Sequence, residues 1–135
     1  MIIQTEVTKH NFDLGPIVSE FEKKETTLTG SLIIHKGKVK SPGKNVANLS
    51  HILLQMKKPE GNIPEELFKI GERADHKFHL KQIYINHRLG QAQPGEDILL
   101  VIVSASDRIN AFSAAQWIVD EIKKEKIITL TEIER

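Results

Sequence analysis

An unbroken apolar run, Ile98–Val103 (ILLVIV), leads within a few residues into a long amphipathic helix pattern, and this pair constrains the fold more than anything else in the chain. A run without polar alternation reads as a strand buried on both faces. Ser104–Asp107 follows and offers Ser106 or Asp107 as a helix N-cap. The helix is predicted to run to about Lys124. Ala111, Ala115, Ile118 and Ile122 recur along one face, with Phe112 and Val119 beside them. Ser113, Gln116, Asp120 and Lys123 fall on a more polar face. A buried strand feeding a capped helix is a stiff platform, able to hold His87-Arg88 and Asp107-Arg108 in fixed positions. Gln93-Pro94-Gly95-Glu96 reads as a turn before the strand, because Pro presets φ and Gly tolerates a positive φ.

At 135 residues the chain is expected to form one domain, residues 1–135, with a real hydrophobic core. Aromatic residues make up only 5%, so that core must be mostly Ile, Leu, Val and Ala. With 19 basic and 18 acidic residues the balance is near neutral, which argues against a dedicated nucleic-acid binder. There is no cysteine, so disulfides, zinc-thiolate sites and a thiol nucleophile are excluded. The N-terminal residues have neither the basic start nor the apolar stretch of a signal peptide, and no run approaches a membrane span. A cytoplasmic location is expected, with no membrane partner.

Elsewhere, Ile2–Lys9 alternates weakly and reads as a first strand. Pro16 suits the first turn of a short helix carrying Ile17, Val18 and Phe21. Thr26–His35 favours a strand, and Gly30 within it marks a bulge or a close backbone approach. His35–Asn45, with Lys36, Lys38, Lys40 and Lys44 around two Gly and one Pro, reads as a mobile basic loop or hairpin tip. Val46–Met56 is a predicted strand. Pro64 opens a helix with Leu67, Phe68 and Ile70 pointing one way. Gln82–Asn86 and Ile127–Ile133 are further predicted strands. The order β-α-β-β-α-β-β-α-β makes an α+β domain with a mixed sheet.

Several residue groups can carry chemistry, and each has a plainer alternative. His87-Arg88, expected just after a strand end, is placed where functional groups often sit; otherwise Arg88 pairs with a carboxylate and His87 bonds to backbone. Arg108 can bind an anion at the helix N-terminus; otherwise Asp107 caps and Arg108 is solvated. Lys123 and Lys124 can simply be a solvated helix end that suits the helix dipole. The Lys36–Lys44 loop can grip a phosphate or serve solubility. His76 and His79 would need further ligands to hold a metal, and no metal site is expected. No phosphate-binding or dinucleotide loop motif occurs, and no cofactor is expected.

The segment His87–Lys124 resembles the large, catalytic subunit of molybdopterin synthase. That family's pattern is HR-x-G-x-x-x-x-G, an apolar strand, S-A-H-R-x-x-A-F, then a helix with a lysine near its end. Here these are His87-Arg88-Leu89-Gly90, Pro94-Gly95-Glu96, Ile98–Val103, Ser104–Arg108, Ala111-Phe112 and Lys123. Thr29-Gly30 fits the family's T-G step. The resemblance implies an α/β hammerhead-type fold and a homodimer of large subunits. Each would bind a small ubiquitin-like sulfur-carrier subunit whose Gly-Gly C-terminus is a thiocarboxylate. It implies transfer of sulfur to cyclic pyranopterin monophosphate, a pterin phosphate substrate, in molybdenum cofactor biosynthesis. Lys123 matches the family's catalytic helix-end lysine. Arg108 matches an arginine that reaches a substrate pocket in the dimer. His87, Arg88, Lys36, Lys38 and Lys126 complete the expected substrate-binding set.

The chain also departs from the family. Asp107 stands where the second H-R pair has histidine. In the family's T-G-x-V-R step, Ile33 takes the arginine position. Collinear alignment puts Leu130 where P-x-W-K-x-E carries a second lysine, and apolar Ile52–Leu54 replaces acidic and aromatic residues. Two functions follow: a sulfur-transferring subunit using Lys123 and Arg108 with relocated lysines, or a catalytically degenerate homologue that keeps the dimer and carrier binding.

Overall fold

The computed structural model describes residues 2–135. The apolar run lies in strand β6 (Asp97–Ala105), at the centre of the larger of two sheets. The other elements, in chain order, are β1 (Ile2–Thr8), α1 (Leu14–Lys23), β2 (Ser31–Lys38), β3 (Leu49–Met56), α2 (Ile63–Phe78), β4 (Gln82–Arg88), β5 (Gly90–Ala92), α3 (Arg108–Glu125) and β7 (Ile128–Glu134). The first sheet has the order β1-β4-β6-β2, with β1 and β4 parallel and the other pairs antiparallel. The second, β5-β3-β7, is antiparallel throughout. The fold is thus α+β with a mixed sheet, as the pattern implied. The short strand β5 and the split into two sheets were not expected from the sequence.

Strand β6 is apolar on both faces because both are covered. Leu99, Val101, Val103 and Ala105 pack with α2 and α3, alongside Leu67, Ile70, Ala74, Ala111, Ala114, Ile118 and Ile122. Leu100 and Ile102 face Phe12, Phe21 and Tyr84 on the α1 side. Truncating a fully buried member of this core, such as Leu67 or Ile118, typically costs about 2–5 kcal/mol. The helix ends are set by short-range chemistry. Asp107 caps α3 by accepting the Asn110 N–H at 2.9 Å, and Asn62 caps α2 by accepting the Glu65 N–H at 3.1 Å. Among the described residues, no helix is long and apolar enough to cross a membrane.

Four expectations need correction. His87 and Arg88 are not in a loop: they are the last two residues of β4, and both are buried. β2 starts at Ser31 rather than Thr26 and runs through Lys38, so Lys36 and Lys38 are strand residues. The segment after it is pinned rather than mobile, because the Glu132 carboxylate accepts the N–H groups of Lys44 (2.6 Å), Asn45 (2.7 Å) and Val46 (3.1 Å). Phe68 is partly exposed while Leu67 and Ile70 are sealed in the core. The predicted strand Val46–Met56 forms as β3 from Leu49 and buries Leu49, Ile52 and Leu54 in a third apolar cluster with Val39 and Ala92. Gly30 is the close approach its position suggested: a β-carbon there would stand 2.1 Å from the Ser106 carbonyl oxygen. That contact locks the start of β2 against the start of α3.

Candidate functional site

Strand β2 ends its sheet, so one of its edges is unpaired. Side-chain alternation along it divides its residues cleanly. Ile33 pairs with Val103 and His35 with Val101, so both project to the α3 side of the sheet. Lys36 pairs with Leu100 and therefore projects to the α1 side. On α3, Phe112, Gln116, Val119 and Lys123 follow one another at helical spacing and form a stripe beside β2. Between strand and stripe lies an open groove of about 490 Å³, lined by Ile33, Ile34 and His35 on one wall and by Phe112, Gln116, Val119 and Asp120 on the other. Lys123 is exposed one turn beyond Val119 and Asp120. Its charge acts on His35: burial first, and the Lys123 ammonium second, hold that imidazole below its usual pKa.

Apolar Ile33, Phe112, Ala115 and Val119 line the groove together with polar Ser113, Gln116, His35 and Asp120, and Lys123 stands just outside it, one turn beyond Asp120. Ile33 puts a hydrophobic side chain where the resemblance called for arginine. Phe112 stays 60% exposed on the α3 wall, an apolar side chain open to a ligand or a partner, while Ile34, 41% exposed on the strand edge, pairs with Ile102 and so alternates to the opposite face from Ile33 and His35.

The other expected residues are dispersed. Arg108 is exposed at the first position of α3. Fifteen residues separate it from Lys123, which places the two about 22 Å apart along the helix axis. One protomer cannot bring both to one small substrate. Asp107, in the family's histidine position, is the N-cap; the Asn110 N–H above all holds its carboxyl below the usual range. Lys36 forms an ion pair with buried Asp97 at 3.5 Å, on the face of the sheet opposite Lys123. Lys38 is exposed beyond a register slip at the end of β2. Lys126 is the left-handed C-cap of α3 (φ 51°) and lines a separate cleft with Lys57, Lys58, Glu66 and Glu125.

Arg88 and His87 work inside the fold. Arg88 donates through Nη1 to Asn11 Oδ1 (3.1 Å) and through Nη2 to the Gln91 carbonyl (3.0 Å), with Glu96 at 3.4 Å. The guanidinium thereby staples the β4–β5 corner to the Asn11 loop and the turn before β6. His87 Nδ1 donates to the Arg88 carbonyl at 2.9 Å, and burial lowers its pKa. These are the plainer alternatives of the sequence reading. His35 is the residue that reading missed. Its only signal was its position two residues after Ile33 in a strand, which puts both on one face; the strand's true extent had to be known first.

Comparison with known proteins identifies the family and the fold. Residues 7–125 match the model of the family described as MoaE protein. The molybdopterin synthase catalytic subunit of Pyrococcus abyssi is 35% identical over 105 residues, covering 78% of this chain and 69% of that protein. Among solved structures, molybdopterin synthase from Staphylococcus aureus superposes with a TM-score of 0.82 at 22% identity, covering 96% of this chain and 90% of that one. A complex of subunits 1 and 2 of the molybdopterin-converting factor from Helicobacter pylori shares the fold, with a TM-score of 0.73 at 14% identity over 97% of this chain and 85% of that one. Matched by the family model from residue 7 to residue 125 and 35% identical to a curated relative over 78% of its own length, the chain belongs to the MoaE family of molybdopterin synthase catalytic subunits.

Proposed function

We propose that the chain is the large subunit of a molybdopterin synthase. It receives the thiocarboxylate tail of a ubiquitin-like carrier in the β2–α3 groove and passes its sulfur to a pterin phosphate. The observation that carries this reading is the groove itself. An unpaired strand edge offers backbone groups to an extended chain, and an apolar floor accepts its side-chain-poor end. Lys123 then supplies a cation where the tail's anionic terminus arrives. The relative from Pyrococcus abyssi bears the name of this catalytic subunit, and the Helicobacter pylori protein of this fold was solved with its partner subunit.

Two anions must meet in such a reaction, the thiocarboxylate and the substrate phosphate. A preorganised cation offsets their repulsion and stabilises charge that develops during transfer. Lys123 serves one protomer's tail. Arg108, too distant on its own helix, serves the partner's groove in a homodimer. The exposed apolar residues Leu28 and Ile109, which lie outside the groove, supply surface for that contact. The stretches Val46–Leu54 and Ile98–Val103 do not, because their large side chains are mostly buried within the chain.

A single-turnover assay with thiocarboxylated carrier and cyclic pyranopterin monophosphate tests this reading; dithiolene product is expected. A second reading, a carrier-binding homologue without catalysis, is favoured by Ile33 in the groove and by Lys36 being held on the opposite face. Carrier binding with no product would select it.

A further inference from the structure

We propose that His35 is the second ligand-contacting group of the groove: together with Lys123 it binds the terminal carboxylate or thiocarboxylate of a docked tail, and it takes up a proton as the tail arrives. This rests on the tail-binding reading above and adds a residue that neither the sequence pattern nor the family resemblance singled out.

Geometry carries the argument. His35 shares its face of β2 with Ile33 and lines the groove opposite Val119 and Asp120, one helical turn from Lys123. The ring lies beside Gly37, its Nε2 3.6 Å from where a β-carbon on that glycine would stand, an ordinary contact distance. Of the lysines that sequence alone offered as substitutes for the missing arginine, Lys36, Lys38, Lys40 and Lys126, Lys36 lies across the sheet and Lys126 in its own cleft, and neither Lys38 nor Lys40 lines the groove. His35 is the basic side chain that lines the groove.

Its surroundings define when it carries charge. From α3, Asp120 and Lys123 are the charged groups at this end of the groove. From β6, its neighbours Leu99 and Val101 do not titrate, and Asp97 is held by Lys36 on the far face. In the empty groove, burial and the Lys123 cation keep the imidazole neutral near pH 7. An anion placed between the two groups reverses that balance and draws a proton onto the ring. Binding coupled to proton uptake strengthens as pH falls.

Calorimetry on the full chain, with a ubiquitin-like carrier ending in Gly-Gly as the probe, tests this. Affinity should rise by up to about tenfold from pH 8 to pH 6, the factor that corresponds to a rise of about one unit in the imidazole pKa on binding. His35→Gln should lose that dependence, and so should wild type given the same carrier with its C-terminus amidated. Lys123→Gln should weaken binding at both pH values. Wild-type binding independent of pH, or a pH dependence that survives in His35→Gln, overturns the role of His35 while leaving tail binding intact. Failure of wild type to bind at any pH sinks the tail-binding reading instead. The His35–Lys123 pairing is then judged by NMR titration of the free protein. The imidazole pKa should rise in Lys123→Gln, and an unmoved value overturns the pairing.

Discussion

The corner around Arg88 and the groove around Lys123 each carry a basic residue from the same family pattern, and they differ in almost every physical respect. Arg88 is 5% exposed and donates to a side-chain amide, backbone carbonyls and a carboxylate drawn from three segments. Lys123 is exposed at the last turn of a helix, one turn beyond the Val119 and Asp120 that line the β2–α3 groove. A buried guanidinium is kept only where the fold satisfies it, and its removal leaves several partners unpaired inside the protein. An exposed ammonium contributes little to stability, so its position has to be explained by what it can meet from outside. A shared motif therefore contains both staples and tools, and burial with bonding separates them.

The largest effect should come from breaking the staple. Arg88→Met is expected to destabilise the fold by about 3–5 kcal/mol, the range seen when one partner of a buried charged network is removed. Chemical denaturation would measure it; a loss under about 1 kcal/mol, the net worth of one ordinary hydrogen bond, would mean that Arg88 is not a staple. Lys123→Ala should do the opposite. Its stability should stay within about half a kcal/mol of wild type. The rate of sulfur transfer should fall on the order of a hundredfold or more, the usual consequence of removing a cation that stabilises developing charge. Full activity in Lys123→Ala would erase the contrast between the two regions.

The same contrast appears in pH. Burial lowers the pKa of His87, so the folded chain favours the neutral ring while the unfolded chain takes a proton near pH 6.5. The unfolded state then binds more protons just below that value. Stability is complete above about pH 6.5 and declines as pH falls from there towards the folded pKa, with a slope of at most about 1.4 kcal/mol per pH unit for one group. His87→Asn should flatten the curve, leaving the smaller contribution of half-buried His35, which has the same sign. A wild-type stability flat between pH 7 and pH 5 would contradict the burial of His87.

Sequence revealed the skeleton here more readily than the site. The run Ile98–Val103 and the spacing Ala111, Ala115, Ile118, Ile122 reported β6 and the buried face of α3, because period and apolarity are local properties. Asp107 as N-cap and Gly30 as a close approach were legible for the same reason. What failed depended on contacts made far along the chain. The basic loop read as mobile because Glu132, eighty-eight residues from Lys44, is what pins it. Lys36 looked available because its pairing with Asp97 needs the register of β2 on β6. β5 escaped notice because Gly90–Ala92 is three residues long and pairs only through β3.

The smallest expected effect is at that pinned loop. The Glu132 carboxylate accepts backbone N–H groups from Lys44, Asn45 and Val46, and these bonds, the one from Asn45 above all, hold its pKa below the usual 4.5. Because the folded value is depressed, the stabilising contribution is present above the unfolded pKa and is lost as pH falls through the folded one. Glu132→Gln keeps the size of the side chain but replaces one accepting oxygen with a donor, so at most part of the cradle can be satisfied. Global stability should barely change, because the loop is a surface segment away from the main core. Amide hydrogen exchange at Lys44, Asn45 and Val46 should be faster in the variant than in wild type near neutral pH. The ratio should approach one as the pH is lowered below the folded pKa of Glu132, where the wild-type carboxyl also gains a proton. Exchange equally slow in both proteins at neutral pH would show that the loop is held by its own turn, the Gly43 N–H to Val46 carbonyl bond at 2.9 Å, rather than by β7.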